Sequence, residues 1–241
     1  MFRSIHMVLI LLAGPLVAAL YWDSGWGWWV TALVFYFAFS CLGVTVTFHR
    51  FVTHKSFDFR WKFLERLFIL LGTLAGTGSA IGWAAVHIEH HAHSDTDEDP
   101  HGPHHGWRQF IPNYDSNVSY MKVRRLLADP YMLWLHNHTT HIIVVYYVVL
   151  FLIGGLQLVA FAGLIPQALT SIISGVCNYF THLTGYRNFD IEDESYNTWW
   201  LALPTWGESW HNNHHAKPHL SSFQHNWWEI DISGLVIRLI K

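Results

Sequence analysis

The chain has 241 residues, of which 51% are hydrophobic, 17% aromatic and only 13% charged, where soluble domains carry roughly 25% charged residues. A formal charge of -3 leaves none of the basic surplus that a nucleic-acid partner requires. Cys41 and Cys177 lie in separate apolar runs and make neither a disulfide framework nor a thiolate metal site. The 19 histidines outnumber the 14 lysines and arginines together, so any metal chemistry rests on nitrogen and oxygen ligands.

In chain order, apolar stretches at 5–22, 26–48, 142–163 and 166–185 approach the roughly 20 residues that a helix needs to cross a bilayer. Arg3 precedes the first as in a signal peptide, but no small-residue cleavage pattern follows, so it reads as a span. Asp23 to Gly25 joins the first pair and a turn at Leu164 and Ile165 the second, both without Lys or Arg. The basic residues therefore gather in the N-terminus, in 49–141 and in 186–241, which the positive-inside rule places in the cytoplasm. A fifth apolar run, Leu67 to Val86, follows Lys55, Arg60, Lys62 and Arg66 and precedes Arg108, Lys122, Arg124 and Arg125. Gly72, Gly76, Gly78 and Gly82 interrupt it, and it reads as an interfacial or re-entrant helix that returns to the same side. The expected fold is an all-α integral membrane protein in one domain, residues 1–241. It has four transmembrane helices in two hairpins under a cytoplasmic helical cap, with both termini inside.

Three histidine clusters stand out: His49 and His54; His87, His90 and His91; His211, His214 and His215. In the second and third the +3 and +4 spacings put all three imidazoles on one helix face. The +5 spacing of the first turns its two side chains about 140° apart on an ideal α-helix, so the chain must unwind or bend near His54. Asn178 and His182 are four apart on the last apolar stretch. Nine imidazoles and an amide exceed one coordination sphere and fit two, with zinc, copper, iron and nickel all open. The acidic residues Glu89, Asp95, Asp97, Asp99 and Glu208 are candidates to hold the distal imidazole N–H groups, with solvated surface charge as the alternative for each. His6, His93, His101, His104, His105, His136, His138, His141, His219 and His225 read as solvated or internally satisfied histidines. A metal-ion transporter would place its ligands near mid-membrane, where these are not.

The strings HRFVTHKSF, GTLAGTGSAIGW, HIEHHAHSDTDEDPH, NYFTHLTGYRNFD, NTWWLALPTWGESWHNNHHAKP and WWEID, in this order, resemble the membrane-bound fatty acyl desaturases of the three-histidine-box type. The resemblance implies iron ligands at His49, His54, His87, His90, His91, His182, His211, His214 and His215, with Asn178 reaching iron through water. It implies two iron ions with dioxygen as co-substrate; the divalent affinity order favours zinc over ferrous iron, so zinc can replace them after overexpression. It further implies a cis double bond placed in a saturated acyl chain, by overall likeness at the 9-position. The carrier is CoA, acyl carrier protein or a lipid, and the electron donor is external, such as a ferredoxin or cytochrome b5. A hydroxylase, decarboxylase or acetylenase on the same scaffold is the alternative within enzymes. No side-chain acid or base removes hydrogen from an unactivated methylene, so the cofactor must carry that step.

Overall fold

The computed structural model describes the backbone of residues 2–103, 105–106 and 118–241, with side chains from Val8 onward. His104, Arg108 and the His6 side chain, weighed above, lie outside the described residues. The elements are α1 (Phe2–Leu20), α2 (Trp26–Tyr36) widening into a π-helix (Phe37–Thr53), α3 (Lys62–Leu74), α4 (Ala80–His93), α5 (Arg124–Leu127), α6 (Pro130–Val159), a short π segment (Ala160–Leu164), α7 (Ile165–Thr181), α8 (His211–Ala216) and α9 (Ile232–Ile240). Among the described residues the only β pairing is two isolated bridges, Tyr186 with Asn197 and Asn197 with Trp210.

The expectation of four transmembrane helices in two hairpins is corrected. Among the described residues two helices are long and apolar enough to cross a membrane, Trp26–Thr53 with 28 residues and Pro130–Thr181 with 52. The first apolar stretch contributes only a shorter apolar helix, Val8–Leu20. The expected start of a span at 142 fails because that residue lies inside a helix that begins at Pro130, capped by Asp129: its Oδ1 accepts from the amides of Tyr131 and Met132 at 2.9 and 3.1 Å, and Pro130 supplies a fixed φ at the first turn. The turn expected at Leu164 and Ile165 is helical. The break falls instead at Gly154 and Gly155, where φ of +62° at Gly155 favours glycine. The chain folds back there: the Tyr146 hydroxyl donates to the Ala162 carbonyl at 2.7 Å, although sixteen residues of straight helix would span about 24 Å. Leu67 to Val86 is likewise two helices, α3 and α4, separated by Gly76 and Gly78 at φ +78° and +103°.

The π-helix positions the first histidine pair. Its i→i+5 bonds, such as His54 N–H to His49 O at 3.1 Å, put residues five apart near one face. The Thr47 and Thr53 hydroxyls repeat that spacing, donating to Leu42 O and Phe48 O at 2.7 Å. The +5 spacing therefore needs neither an unwound nor a bent end; the helix widens instead.

Backbone contact with α3 fixes this helix. A Cβ at Gly43 would lie 2.4 Å from the Gly72 nitrogen, and one at Gly72 would strike the Phe48 ring at 2.4 Å. Phe48, Val52, Ile69, Ile81, Ala84, Ala85 and Leu135 then form one buried cluster joining the π-helix, α3, α4 and α6. Full burial of each larger side chain contributes about 1.5–3 kcal/mol. The packing holds α4 beside the end of the π-helix. Ser79 starts α4, its Oγ accepting the Gly82 amide at 3.2 Å.

Candidate metal centre

The fold gathers the nine histidines singled out above into two adjoining groups: His49, His54, His87, His91 and His214, and His90, His182, His211 and His215. Within each, the candidate ligand atoms lie within 4.8 Å of one another. The π-helix end supplies His49 and His54, and α4 supplies His87 and His91 one turn apart. Between them on α4, His90 points into the second group. His182 stands immediately after α7, and α8 divides its histidines, His214 to the first group and His211 and His215 to the second.

The Nε2 atoms converge. His54 to His87 is 3.1 Å, His87 to His91 3.0 Å, His91 to His214 2.9 Å, His49 to His214 3.0 Å and His182 to His211 3.0 Å. The Nε2 atoms of His90 and His215 are buried with no hydrogen-bond partner. Burial and the neighbouring imidazoles hold His87, His90, His91, His211, His214 and His215 well below the ordinary histidine value, and burial lowers His54 to about 4. Neutral imidazoles whose lone pairs meet at this range repel unless a cation lies among them. A metal–nitrogen bond of about 2.1 Å puts neighbouring donors roughly 3 Å apart. These donor sets fit nitrogen-ligated metal ions.

Carboxylates hold the other face of several rings. The Nδ1 of His49 meets Glu208, that of His90 meets Asp99 at 2.9 Å, and that of His182 meets Asp95 at 3.0 Å. Burial pushes Glu208 up to about 7 against the pull of Arg50. Glu89 is a correction: its carboxylate meets Lys122 at 2.7 Å and His93 at 3.3 Å, because one residue from His90 on a helix is a rotation of about 100° off the ligand face. Asp97 is exposed. The sequence reads His101 as a solvated or internally satisfied histidine, yet it stacks on His90 with ring centroids 4.2 Å apart and joins His90 and Asp99 in a third group. The Asn178 amide nitrogen lies 3.5 Å from His101 Nδ1.

Two further residues were missed. Asp193 accepts from His215 Nδ1 at 2.7 Å, across 22 residues of irregular chain that leave no periodic signal. Arg50, fully buried, donates to Glu208 at 2.9 and 3.1 Å and to Asp231 at 2.8 Å. A lone arginine at the end of an apolar run was the available clue to it. A cavity of about 120 Å³ reaches both groups, with His49, His87 and His211 in its wall beside Val44, Ile173 and Asn178.

The lowered histidine values give the site a pH limit. Above about pH 6.5 folded and unfolded imidazoles are alike neutral; below it the unfolded chain takes up protons that the buried site refuses, so stability falls as pH falls. Protons compete with metal over the same window. Metal retained by the detergent-solubilised chain should therefore drop between about pH 6.5 and 4, the value at which His54 itself protonates. Full retention through pH 4 would contradict the buried neutral donor set.

The fatty acid desaturase family model matches residues 24–229, most of the chain. This chain belongs to the fatty acid desaturase family. It is 34% identical over 236 residues to the sn-1 stearoyl-lipid 9-desaturase of Anabaena variabilis, covering 95% of this chain and 86% of that one. It is 31% identical to the sn-2 palmitoyl-lipid 9-desaturase of Nostoc sp. (strain 36), covering 99% and 87%. Delta-9 acyl-lipid desaturase 1 of Arabidopsis thaliana is 33% identical, covering 83% and 68%. The protein is a membrane-associated oxidoreductase, an oxygen-dependent desaturase of fatty acyl chains, with histidine clusters of the di-iron type.

Proposed function

We propose that this desaturase holds one iron ion on His49, His54, His87, His91 and His214 and a second on His90, His182, His211 and His215. With them it places a cis double bond at the 9-position of a saturated acyl chain carried on a glycerolipid. The observation that carries the metal assignment is the convergence of imidazole Nε2 atoms at about 3 Å. The lipid carrier and the position are supported by relatives named for acyl-lipid substrates and the 9-position.

Bound iron would supply the redox chemistry, in which dioxygen, two external electrons, two protons and two hydrogens from adjacent methylenes become two waters and the methylene pair becomes a double bond. The chain supplies position. Specificity along a uniform methylene chain comes only from where the chain is held, and the cavity wall offers Val44 and Ile173 as apolar contact next to His49, His87 and His211. Asn178, in the same wall, is placed to hold a water through its amide. Asp95, Asp99 and Glu208 accept the Nδ1 protons of His182, His90 and His49, which leaves each Nε2 lone pair free for metal. The electrons come from an external carrier, a ferredoxin or cytochrome b5. The absence of Lys and Arg from Asp23 to Gly25 and from the chain around Gly154 and Gly155 supports a cytoplasmic metal centre and cytoplasmic termini.

Expression in a host without this activity, followed by double-bond location in each lipid class, tests the proposal. New 9-monounsaturated acyl chains in glycerolipids are expected, and only under oxygen. Hydroxylated chains would reassign the reaction, and unsaturation confined to free acyl-CoA would reassign the carrier.

A further inference from the structure

The two histidine groups differ in what stands behind their rings. In the four-histidine group, three Nδ1 atoms face carboxylates: His90 with Asp99 at 2.9 and 3.0 Å, His182 with Asp95 at 3.0 and 3.2 Å, and His215 with Asp193 at 2.7 Å. In the five-histidine group, among the described residues, only His49 does, through Glu208, and the positive charge of buried Arg50 offsets that carboxylate from 2.9 Å.

Asp193 itself is fixed. Its Oδ1 accepts the Ser195 amide at 2.9 Å and the Ser195 hydroxyl at 2.5 Å, which leaves Oδ2 for His215. The next residue, Glu194, donates its amide to Asp95 Oδ2 at 2.8 Å. One short segment thus sets the supports of both His215 and His182, whose rings lie 5.1 Å apart. The His215 and His90 Nε2 atoms, buried and without partners, point to where a metal belongs.

A carboxylate on Nδ1–H makes an imidazole more basic and adds negative charge near the cation, and losing such a support typically costs 10–100-fold in metal affinity. The fifth imidazole of the other group works in the opposite direction. One added neutral donor is the smaller effect against two additional carboxylates. We infer that Asp193 is a positioning residue for His215 and that, with Asp95 and Asp99, it makes the four-histidine position the tighter of the two and the first to fill. The inference rests on the dinuclear assignment made above.

Cobalt(II) titration of the metal-free, detergent-solubilised full chain tests it, since the visible bands of cobalt report each position as it fills. Two steps are expected. Asp193→Asn should weaken the first by about 10–100-fold and leave the second unchanged, and that unmoved step shows that the variant is folded. His54→Ala, which removes a donor from the five-histidine group, should weaken only the second. Two equal steps in the unaltered chain, or an Asp193→Asn effect on the second step or on both alike, would overturn the ranking. A chain that binds a single cobalt would overturn the dinuclear assignment and the ranking with it.

Discussion

His182→Ala should strip metal from the four-histidine position and abolish desaturation, whereas Asn178→Ala should keep most of the metal and still lose turnover. His182 is 2% exposed, with its Nε2 3.0 Å from that of His211 and its Nδ1 held by Asp95. Removing it takes one of four imidazoles and leaves Asp95 without its ring, so the loss should exceed the 10–100-fold typical of an outer support. Asn178 has only an amide to offer, a far weaker donor for a first-row metal. It lines the cavity near His101, and on the proposed function its amide holds a small molecule there. If Asn178 were merely a polar residue bonding a neighbouring helix, about 0.6 kcal/mol would be at stake and turnover would survive. Iron content and desaturation measured together in both variants separate the outcomes, and an Asn178→Ala protein with normal turnover would contradict the assigned role.

Arg50→Met should be among the most damaging substitutions in the chain although Arg50 is no metal ligand. The guanidinium is fully buried, spans Glu208 and Asp231, donates to the Ser221 carbonyl at 3.0 Å and stacks 3.8 Å from the centre of the Phe223 ring. Phe223 in turn packs on His214 with ring centroids 4.4 Å apart. Removing the cation leaves two buried carboxylates facing each other's charge, which typically costs about 3–5 kcal/mol, and frees Glu208 from its place on His49. A large fall in thermal stability together with loss of iron is expected, and Asp231→Asn in the same chain should recover part of the stability. A stable, fully loaded Arg50→Met protein would show the pair to be dispensable.

The histidine pattern was legible because ligand spacing on a helix is a local property. His87, His90 and His91, and likewise His211, His214 and His215, have to share a face once they are helical. That His90 would leave its neighbours for the other group was not legible, because it depends on how α4, α7 and α8 meet. Glu89 could have been placed from geometry alone, since its side chain is rotated off the ligand face. Asp193 could not, because its partner is distant in sequence and no periodicity links them. The membrane helices depart from the apolar pattern for a related reason. Apolar composition marks which residues avoid water, but helix ends follow caps and breaks: Asp129 starts a helix well before the apolar run at 142, and the Gly154–Gly155 pair breaks the chain inside a run that hydropathy alone leaves continuous. The widened helix at Phe37–Thr53 answered the +5 spacing in a way that standard α geometry does not contain.

Metal content per chain in a preparation with measured turnover tests the central claim most directly. Nine convergent imidazoles in two groups predict about two iron ions per fully active chain. If the purified protein carries zinc, exchange for ferrous iron should restore oxygen-dependent desaturation with that same stoichiometry. A preparation that is fully active with a single iron, or active with none, would contradict the dinuclear centre.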